Sequence, residues 1–518
     1  MRLVSAAEMR EIDRTAIEVF GIPSLTLMDR AGRAVAEAAA ELAAPGGRVV
    51  VVCGAGNNGG DGYVAARLLR ALGRDARVLA LVPADRLSRD ARAVRDQAQY
   101  AGVPIDDQGE LLALDAGVGD VVVDALLGTG LARAPEGAFA AAIARIEAAR
   151  SAGARVLAVD VPSGLSADTG RPLGPCVRAD RTVTFAFQKR GLVLHPGPEW
   201  AGEVVVADIG IPPAAAARVR VGCALLDEIA ARLLVPARAP DAHKGDAGRL
   251  LVVAGSPGKT GAAHLALTGA LRGGAGLVTL STRPEVLPLA LAGRPEAMSH
   301  ALPPGGALGR SDLQALLEAA KPMDAVVVGP GIPRGPETAE LLRAFLERAR
   351  LPAVLDADAL NAIAESPGLL RGLPAPVVLT PHPGEMARLC GLSIADVQAD
   401  RIGIAAAKAR EWNAVVVLKG ARTVVADPEA PPSVIPVGNP GLATGGTGDV
   451  LAGLTGALVA GHLAPGAAAR AAAWVHGRAG AWVHGRAADL AAAQHGERGL
   501  VASDLGDFLG AVWAEWRR

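Results

Sequence analysis

Short apolar runs that stop in glycine-rich or acidic loops, with helical stretches between them, recur along most of this chain. They leave it few folds to choose from. The first run, Arg48-Val49-Val50-Val51-Val52-Cys53, leads straight into Gly54-Ala55-Gly56-Asn57-Asn58-Gly59-Gly60-Asp61-Gly62 and a helix start. Others follow at 76–82, 120–126, 155–159, 182–187 and 203–209. A second series covers 249–254, 276–281, 325–328, 353–355, 377–379 and 414–418. Strand and helix in alternation imply a mostly parallel sheet with helices on both faces, a three-layer α/β fold. Ligands bind such sheets beyond the carboxyl ends of the strands, so chemistry is expected in the loops that follow each run.

The two series fit two domains, which suits a length of 518 residues. Residues 211–240 are rich in Ala, Pro and Arg, and Pro236-Ala237-Arg238-Ala239-Pro240 reads as linker. The expected division is 1–225, a linker over 226–240, and 241–518. Residues 8–44 read as amphipathic helices, with Met9, Ile12, Ala16, Ile17 and Phe20 on one face and a break at Gly21-Ile22-Pro23-Ser24. Charge balances at 52 − 53 = −1, so no basic field draws the protein to nucleic acid or to an anionic membrane. The N-terminus lacks the apolar stretch of a secretory signal, and no run approaches the ~18 apolar residues of a membrane span. The cysteines Cys53, Cys176, Cys223 and Cys390 are scattered with no C-x-x-C pair, so a reducing cytoplasm without structural zinc is expected.

In the first half, the strand–loop–helix order at Asn57–Asp61 aims main-chain amides at an anion at a helix N-terminus. Three more polar strand ends join it: Asp124 with Gly128-Thr129-Gly130, Asp160 with Pro162-Ser163-Gly164, and Lys189. A strand-end aspartate taken singly usually caps a helix. A set that converges on one edge is harder to explain that way.

In the second half the same logic ends in Asn439-Pro440-Gly441-Leu442-Ala443-Thr444-Gly445-Gly446-Thr447-Gly448-Asp449-Val450-Leu451, which continues at helical spacing through Leu454 and Leu458. Glycines ahead of a helix let amides crowd round an anion, and the helix dipole adds positive potential there. Asp449, on the first turn, suits a general base that takes a hydroxyl proton during phosphoryl transfer; the plainer alternative is a helix cap. Only six lysines occur, and Lys419 follows a strand where it can reach nucleotide phosphates. His382 and Glu385, in Thr380-Pro381-His382-Pro383-Gly384-Glu385, could be metal ligands, but no partner spacing supports that. Gly255-Ser256-Pro257-Gly258-Lys259-Thr260 is not a P-loop, because two residues separate its glycines where four are needed. Ala473-Trp474-Val475-His476-Gly477-Arg478-Ala479 recurs as Ala481-Trp482-Val483-His484-Gly485-Arg486-Ala487. Eight inserted residues turn a helix face by roughly 80°, which calls for a loop or register change, and slippage tolerated at a surface is expected.

Two resemblances follow from these residues. The 439–453 stretch resembles the signature of the ADP/ATP-dependent NAD(P)H-hydrate dehydratases, ribokinase-like proteins that repair hydrated nicotinamide cofactors. Asn57-Asn58-Gly59-Gly60-Asp61-Gly62, Asp124 with Gly128-Thr129-Gly130, and Asp160-Val161-Pro162-Ser163-Gly164 resemble the NAD(P)H-hydrate epimerase domain, a Rossmann-like fold. The second resemblance implies substrate contacts at Asn57, Asn58, Gly59, Gly60, Asp61, Gly128, Thr129, Gly130, Leu131 and Asp160. It also implies acid/base chemistry at Asp160 with Lys189, and a potassium ion near Asn58, Asp124 and Ser163. One departure stands out: the family usually has Glu-Asn-Ala-Gly where this chain has Asp29-Arg30-Ala31-Gly32.

The dehydratase resemblance implies substrate contacts at Gly331, His382, Pro383, Gly384, Glu385 and Asp449. Nucleotide contacts fall to Lys419, Gly420, Ala421, Arg422, Thr423, Asn439, Gly441, Thr444, Gly445, Gly446, Thr447 and Gly448, with ADP and magnesium as the co-substrate pair. Together these imply a bifunctional, cytoplasmic repair enzyme acting on hydrated NADH and NADPH, with self-association into a homo-oligomer expected. The competing readings are a ribokinase-like vitamin or sugar kinase carrying a non-catalytic N-terminal module, and a pure binding module such as occurs in RNA-decapping scaffolds.

Overall fold

The structure, a computed structural model, describes residues 1–107, 114–235, 237–461 and 468–517, with the side chains of 468–474 outside the description. Two compact units emerge, Arg2–Gly222 and Cys223–Arg518, the latter joined by Met1.

Within Arg2–Gly222, β1 (Leu3–Val4) precedes β2 (Val49–Cys53), β3 (Ala76–Ala80), β4 (Ile105–Asp107), β5 (Val121–Ala125), β6 (Arg155–Val159), β7 (Arg181–Phe185), β8 (Gln188–Lys189) and β9 (Glu203–Ala207). A seven-stranded, all-parallel sheet runs in the order β4-β3-β2-β5-β6-β7-β9, and β1 pairs separately with β8. The chain winds outward from β2 in one direction and from β5 in the other, so a crevice opens between the ends of these two strands. All five residues of β2 are buried, as a strand covered by helices on both faces requires. Asn57–Asp61 are already the first turn of the Asn57–Ala71 helix rather than a loop before it. The helix starts that early because Gly59 has no Cβ, which would sit 2.1 Å from the Gly54 carbonyl oxygen.

The second unit continues with β10 (Ala224–Leu225), β11 (Arg249–Val253), β12 (Leu277–Thr282), β13 (Met298–Ala301), β14 (Ala325–Val328), β15 (Ala353–Leu355), β16 (Val377–Leu379), β17 (Val415–Leu418), β18 (Val424–Ala426) and β19 (Ser433–Val434). Its sheet runs β10-β19-β18-β17-β16-β15-β14-β11-β12-β13, parallel from β13 through β17, with β18 antiparallel to both its neighbours. Here the direction of winding reverses between β11 and β14. The helices Thr260–Arg272 and Thr447–Gly461 cross in direct backbone contact. A Cβ at Gly269 would lie 2.1 Å from the Val450 carbonyl oxygen, and one at Gly453 would lie 1.9 Å from that of Ala266. That approach seats the N-terminus of the Thr447–Gly461 helix over the sheet.

Two expectations meet a different local structure. Within 226–240, where a linker was expected, the helix Glu228–Leu233 is capped by Asp227, and Leu226 and Ala231 are buried in the C-terminal core. Pro236 lies outside the described residues. The duplicated element sits in one unbroken helix, Ala468–His495, and not at a surface. His476, Trp482, Val483 and His484 are all buried; Ala473 and Trp474 fall among the side chains not described. No register change is needed, because this helix is covered on several sides by β17, β18 and neighbouring helices. Its alanines and glycines let either face pack: Gly477 faces Val415 and Val417, Gly480 faces Thr455, and Gly485 faces Val437.

Candidate active sites

In the first unit, two groups of side chains form at the carboxyl ends of β2, β5, β6 and β7. Asp124 is fully buried and accepts from the Ser163 amide (2.8 Å), the Ser163 hydroxyl (2.6 Å) and the Leu126 amide (3.3 Å). Burial pushes its carboxyl up to about 6, even though those bonds pull the other way. Among the described residues no cation pairs with it. The Asn58 side chain packs beside Gly128, whose Cβ would lie 2.9 Å from Asn58 Oδ1, and Asn58 Nδ2 is buried without a partner. Gly128–Leu131 form a tight turn there, closed by the Leu131 amide on the Gly128 carbonyl. A buried, uncompensated carboxylate among neutral oxygens fits a monovalent cation such as potassium.

In the second group, Lys189 is 1% exposed and donates to Asp160 Oδ1 (2.5 Å), Thr184 Oγ1 (2.9 Å) and the Phe185 carbonyl (3.0 Å). Asp160 itself takes φ +65°, a left-handed backbone uncommon outside glycine. The same neighbourhood raises the Asp61 carboxyl well above its usual range, through burial and then the charge of Asp160. It also raises Asp13, on the Ala6–Glu18 helix, to about 6. Asp13 had no sequence signal, since helical spacing alone does not say which strand end a helix faces. Asn57 accepts from Ser88, at the rim. Asp29 pairs with Arg67, and Arg30 donates to the Ile209 carbonyl, so neither side chain joins the Asp160 group.

In the second unit, the amides of Gly445, Gly446, Gly448 and Asp449 have no protein acceptor among the described residues. The side chains nearby explain why they stay free. Thr444 and Thr447 spend their hydroxyls on the carbonyls of Gly441 and Leu442, and Asn439 is held between the Gly441 amide and Asp489. Gly446 takes φ +95°. Asp449 is part-buried and its carboxyl is raised to about 7, by burial first and then by Asp356, with Lys419 opposing. Lys419 Nζ lies 2.8 Å from Asp356 Oδ1 and 3.8 Å from Glu385 Oε2, and a Cβ on Gly448 would sit 3.1 Å from that Nζ. Burial pulls Lys419 down, but Asp356, Glu385 and Asp449 outweigh it and hold the ammonium above its usual range.

His382 caps the Pro383–Cys390 helix through Nδ1, which accepts from the amides of Gly384 and Glu385. Burial, Lys419 and Arg388 push its imidazole below the usual value. Glu385 accepts from the His382 amide at 2.7 Å and is raised by burial. Pairing within one capping box is a reason against metal ligation by these two residues. Gly420 to Thr423 form the turn after β17, and its carbonyls are gathered by Arg401. That buried guanidinium donates to Leu418, Lys419, Ala421 and Arg422 and is lowered to about 10 by burial. Gly331, φ +66°, lies against Lys259 and Ala262 beside the Ser256 hydroxyl.

Arg401, Asp356 and Asp358 join the site without a motif to announce them. The one available signal was a pair of acids, Asp356 and Asp358, directly after a strand. Among the described residues no three His, Cys, Asp or Glu side chains converge as a metal set. Asp356 Oδ2 is nevertheless buried with no partner. An oxygen donor left open beside an amide cradle fits magnesium held chiefly by nucleotide phosphates and one or two carboxylates.

Each unit is thus an α/β domain with an acidic, amide-rich crevice where strand order reverses, and the second has the parts of a phosphoryl-transfer site. Residues 250–509 match the family described as NAD(P)H-hydrate dehydratase, and residues 24–191 match the one described as YjeF-related protein N-terminus. The bifunctional NAD(P)H-hydrate repair enzyme of Moorella thermoacetica is 45% identical over 98% of this chain and 96% of its own length. That of Escherichia coli is 38% identical over 96% and 92%. The ADP/ATP-dependent NAD(P)H-hydrate dehydratase of Bacillus subtilis, co-crystallised with ATP and Mg2+, is 31% identical, covering 57% of this chain and 98% of that one with a TM-score of 0.47. The chain belongs to the family of bifunctional NAD(P)H-hydrate repair enzymes.

Proposed function

We infer that this chain epimerises the R and S forms of hydrated NADH and NADPH in its first unit and dehydrates the S form in its second. The second step consumes a nucleotide, ADP in our reading, which becomes AMP and phosphate. The observation that carries this reading is Asp449: a part-buried carboxyl raised to about 7, on the first turn of a helix where the amides of Gly445, Gly446, Gly448 and Asp449 have no protein acceptor among the described residues. A base poised near neutral pH can take the hydroxyl proton of the hydrate as oxygen attacks the terminal phosphoryl group. The amides of Gly445–Gly448 stabilise the charge that builds on the transferring group, and Lys419 with the Gly420–Thr423 turn orients the nucleotide. Magnesium, when bound, neutralises phosphate charge. Phosphate then leaves from the substrate carbon, the neighbouring carbon gives up a proton, and the ring double bond returns. Gly331, His382, Pro383, Gly384 and Glu385 line the substrate side.

In the first unit, inversion at the hydroxylated carbon needs its C–O bond to open and reclose on the other face. Asp160, held by Lys189, moves the proton to and from that oxygen, and Asn57–Asp61 with Gly128–Leu131 hold the dinucleotide. A potassium ion at Asn58, Asp124 and Ser163 supplies the charge that buried Asp124 lacks. This reading has the chain working in the cytoplasm on small-molecule substrates.

The test is incubation with hydrated NADH plus ADP or ATP, following reduced-nicotinamide absorbance and phosphate. Absorbance returning with equimolar free phosphate is expected. A stable phosphoester without reduced nicotinamide would instead identify a kinase.

A further inference from the structure

Lys259 and Arg334 occupy the edge of the second crevice, and neither has a task in the reaction just described. Lys259 stands in the turn between β11 and the Thr260–Arg272 helix, and Arg334 follows β14. Both reach the same carboxylate: Lys259 Nζ lies 2.9 Å from Asp358 Oδ2, and Arg334 Nε lies 3.0 Å from Asp358 Oδ1. Asp358 is 12% exposed at its side chain, whereas the two cations are 53% and 51% exposed. One carboxylate shared by two cations leaves a surplus positive charge facing solvent. Among the described residues neither cation takes another protein partner, so two N–H groups of Lys259 and both Nη groups of Arg334 remain to offer. A guanidinium fork beside an ammonium is suited to a phosphate.

Position separates this pair from the nucleotide side. Lys419 and its turn follow β17, while Lys259 follows β11, four strands away in the sheet order β17-β16-β15-β14-β11. At the usual strand spacing that is about 19 Å. Asp356 and Asp358, after β15, lie between, and Asp358 is among the charges that raise Asp449. Gly331 packs against Lys259: a Cβ added at Gly331 would lie 3.1 Å from that of Lys259. The cation pair therefore flanks the reacting carboxylate on the side away from the nucleotide turn.

We propose that Lys259 and Arg334 form a second phosphate subsite, which takes a phosphate of the hydrated dinucleotide while the Gly445–Gly448 amides take those of the nucleotide. The phosphate nearest the hydrated ring is the one in reach, since the diphosphate linkage begins one ribose from that ring, whereas the 2′-phosphate of NADPH sits on the adenosine ribose at the far side of that linkage. Asp358 holds the two cations in place and is relieved of one of them when phosphate arrives. This inference rests on the proposed dehydration.

The experiment uses the full chain as Lys259→Gln, Arg334→Gln and the double variant, with melting temperature as the check on folding. Initial rates are measured with S-hydrates of NADH and NADPH and with varied nucleotide, alongside equilibrium Kd values for both hydrates. The double variant is expected to raise KM and Kd for both hydrates by about tenfold or more, the scale of one charge-assisted bond to phosphate. Its kcat and nucleotide KM should stay within about twofold of wild type, and the salt dependence of kcat/KM should flatten. Lys259→Arg should recover most of the loss. A rise for hydrated NADPH alone keeps the subsite and assigns it the 2′-phosphate. Unchanged KM and Kd for both hydrates, or a rise confined to the nucleotide, overturns it. Wild-type protein that binds the hydrates more tightly than the double variant yet never dehydrates them would retain the subsite and sink the dehydratase reading instead.

Discussion

Replacing Asp449 with asparagine should make the enzyme more stable at alkaline pH while removing its dehydratase activity. The carboxyl is raised from 3.8 to about 7, chiefly by burial and then by Asp356. A shift of roughly three units corresponds to about 4 kcal/mol at 1.36 kcal/mol per unit, an upper bound because Asp449 is only part-buried. The sign follows from proton binding. Between about pH 4 and pH 7 the folded state holds more protons at this site than the unfolded chain. Stability is therefore lost as pH rises through that window, and the whole penalty is present above it. Asparagine carries no such penalty at any pH. Nor does it orphan Lys419, which keeps Asp356 at 2.8 Å and Glu385 at 3.8 Å.

Calorimetric unfolding of the full chain without nucleotide, at pH 5 and at pH 8, measures this directly. At pH 8 the transition of the Cys223–Arg518 unit should rise in the variant by several degrees, at about 2 °C per kcal/mol for a unit of that size. At pH 5 most of the gap should close. Dehydration should fall by about 10²–10⁴-fold, the usual yield of a positioned base, and wild-type kcat/KM should climb with pH through an apparent pKa near 7. A variant less stable than wild type at pH 8, or a gap that does not change with pH, would refute the placing of Asp449 in a buried acidic cluster.

Four further outcomes are expected. Asp160→Asn should cut epimerisation by about 10²–10⁴-fold with dehydration untouched, as read by separating the R and S hydrates; Lys189→Met should also cost about 3–5 kcal/mol in the first unit, because Asp160 would be left buried and unpaired. Potassium should raise the melting temperature of that unit more than lithium at equal ionic strength, and Asp124→Asn should abolish the difference. Arg401→Met should cost about 2–4 kcal/mol in the second unit and raise the nucleotide KM, since the carbonyls of Leu418, Lys419, Ala421 and Arg422 lose one shared donor.

What could be read from the residues alone was whatever a short stretch of backbone demands for itself. A run of valines needs cover on both faces, and a glycine-dense turn before apolar helical spacing needs free amides. Both β2 and the Thr447–Gly461 helix therefore stood where the residues indicated. Side chains recruited by strand order left no such trace. Asp356 and Lys419 are 63 positions apart yet lie 2.8 Å from each other, because β15, β16 and β17 are neighbours in the sheet. Lys259 and Asp358 are 99 apart and meet for the same reason, across β11, β14 and β15. The duplicated Trp-Val-His-Gly-Arg element failed in the opposite direction. Its sequence repeats faithfully, but the two copies do different things, because a helix covered on several sides has no single face for a rotation to spoil. His484 meets the Thr447 carbonyl at 2.8 Å, at the root of the amide-bearing helix, and is held neutral by burial at about 4. The equivalent His476 lies a little over two turns earlier in the same helix, so it faces a different part of the packed unit. Local patterns thus identify where a crevice can form. Which acids and cations share it is decided by the order in which the strands are laid side by side.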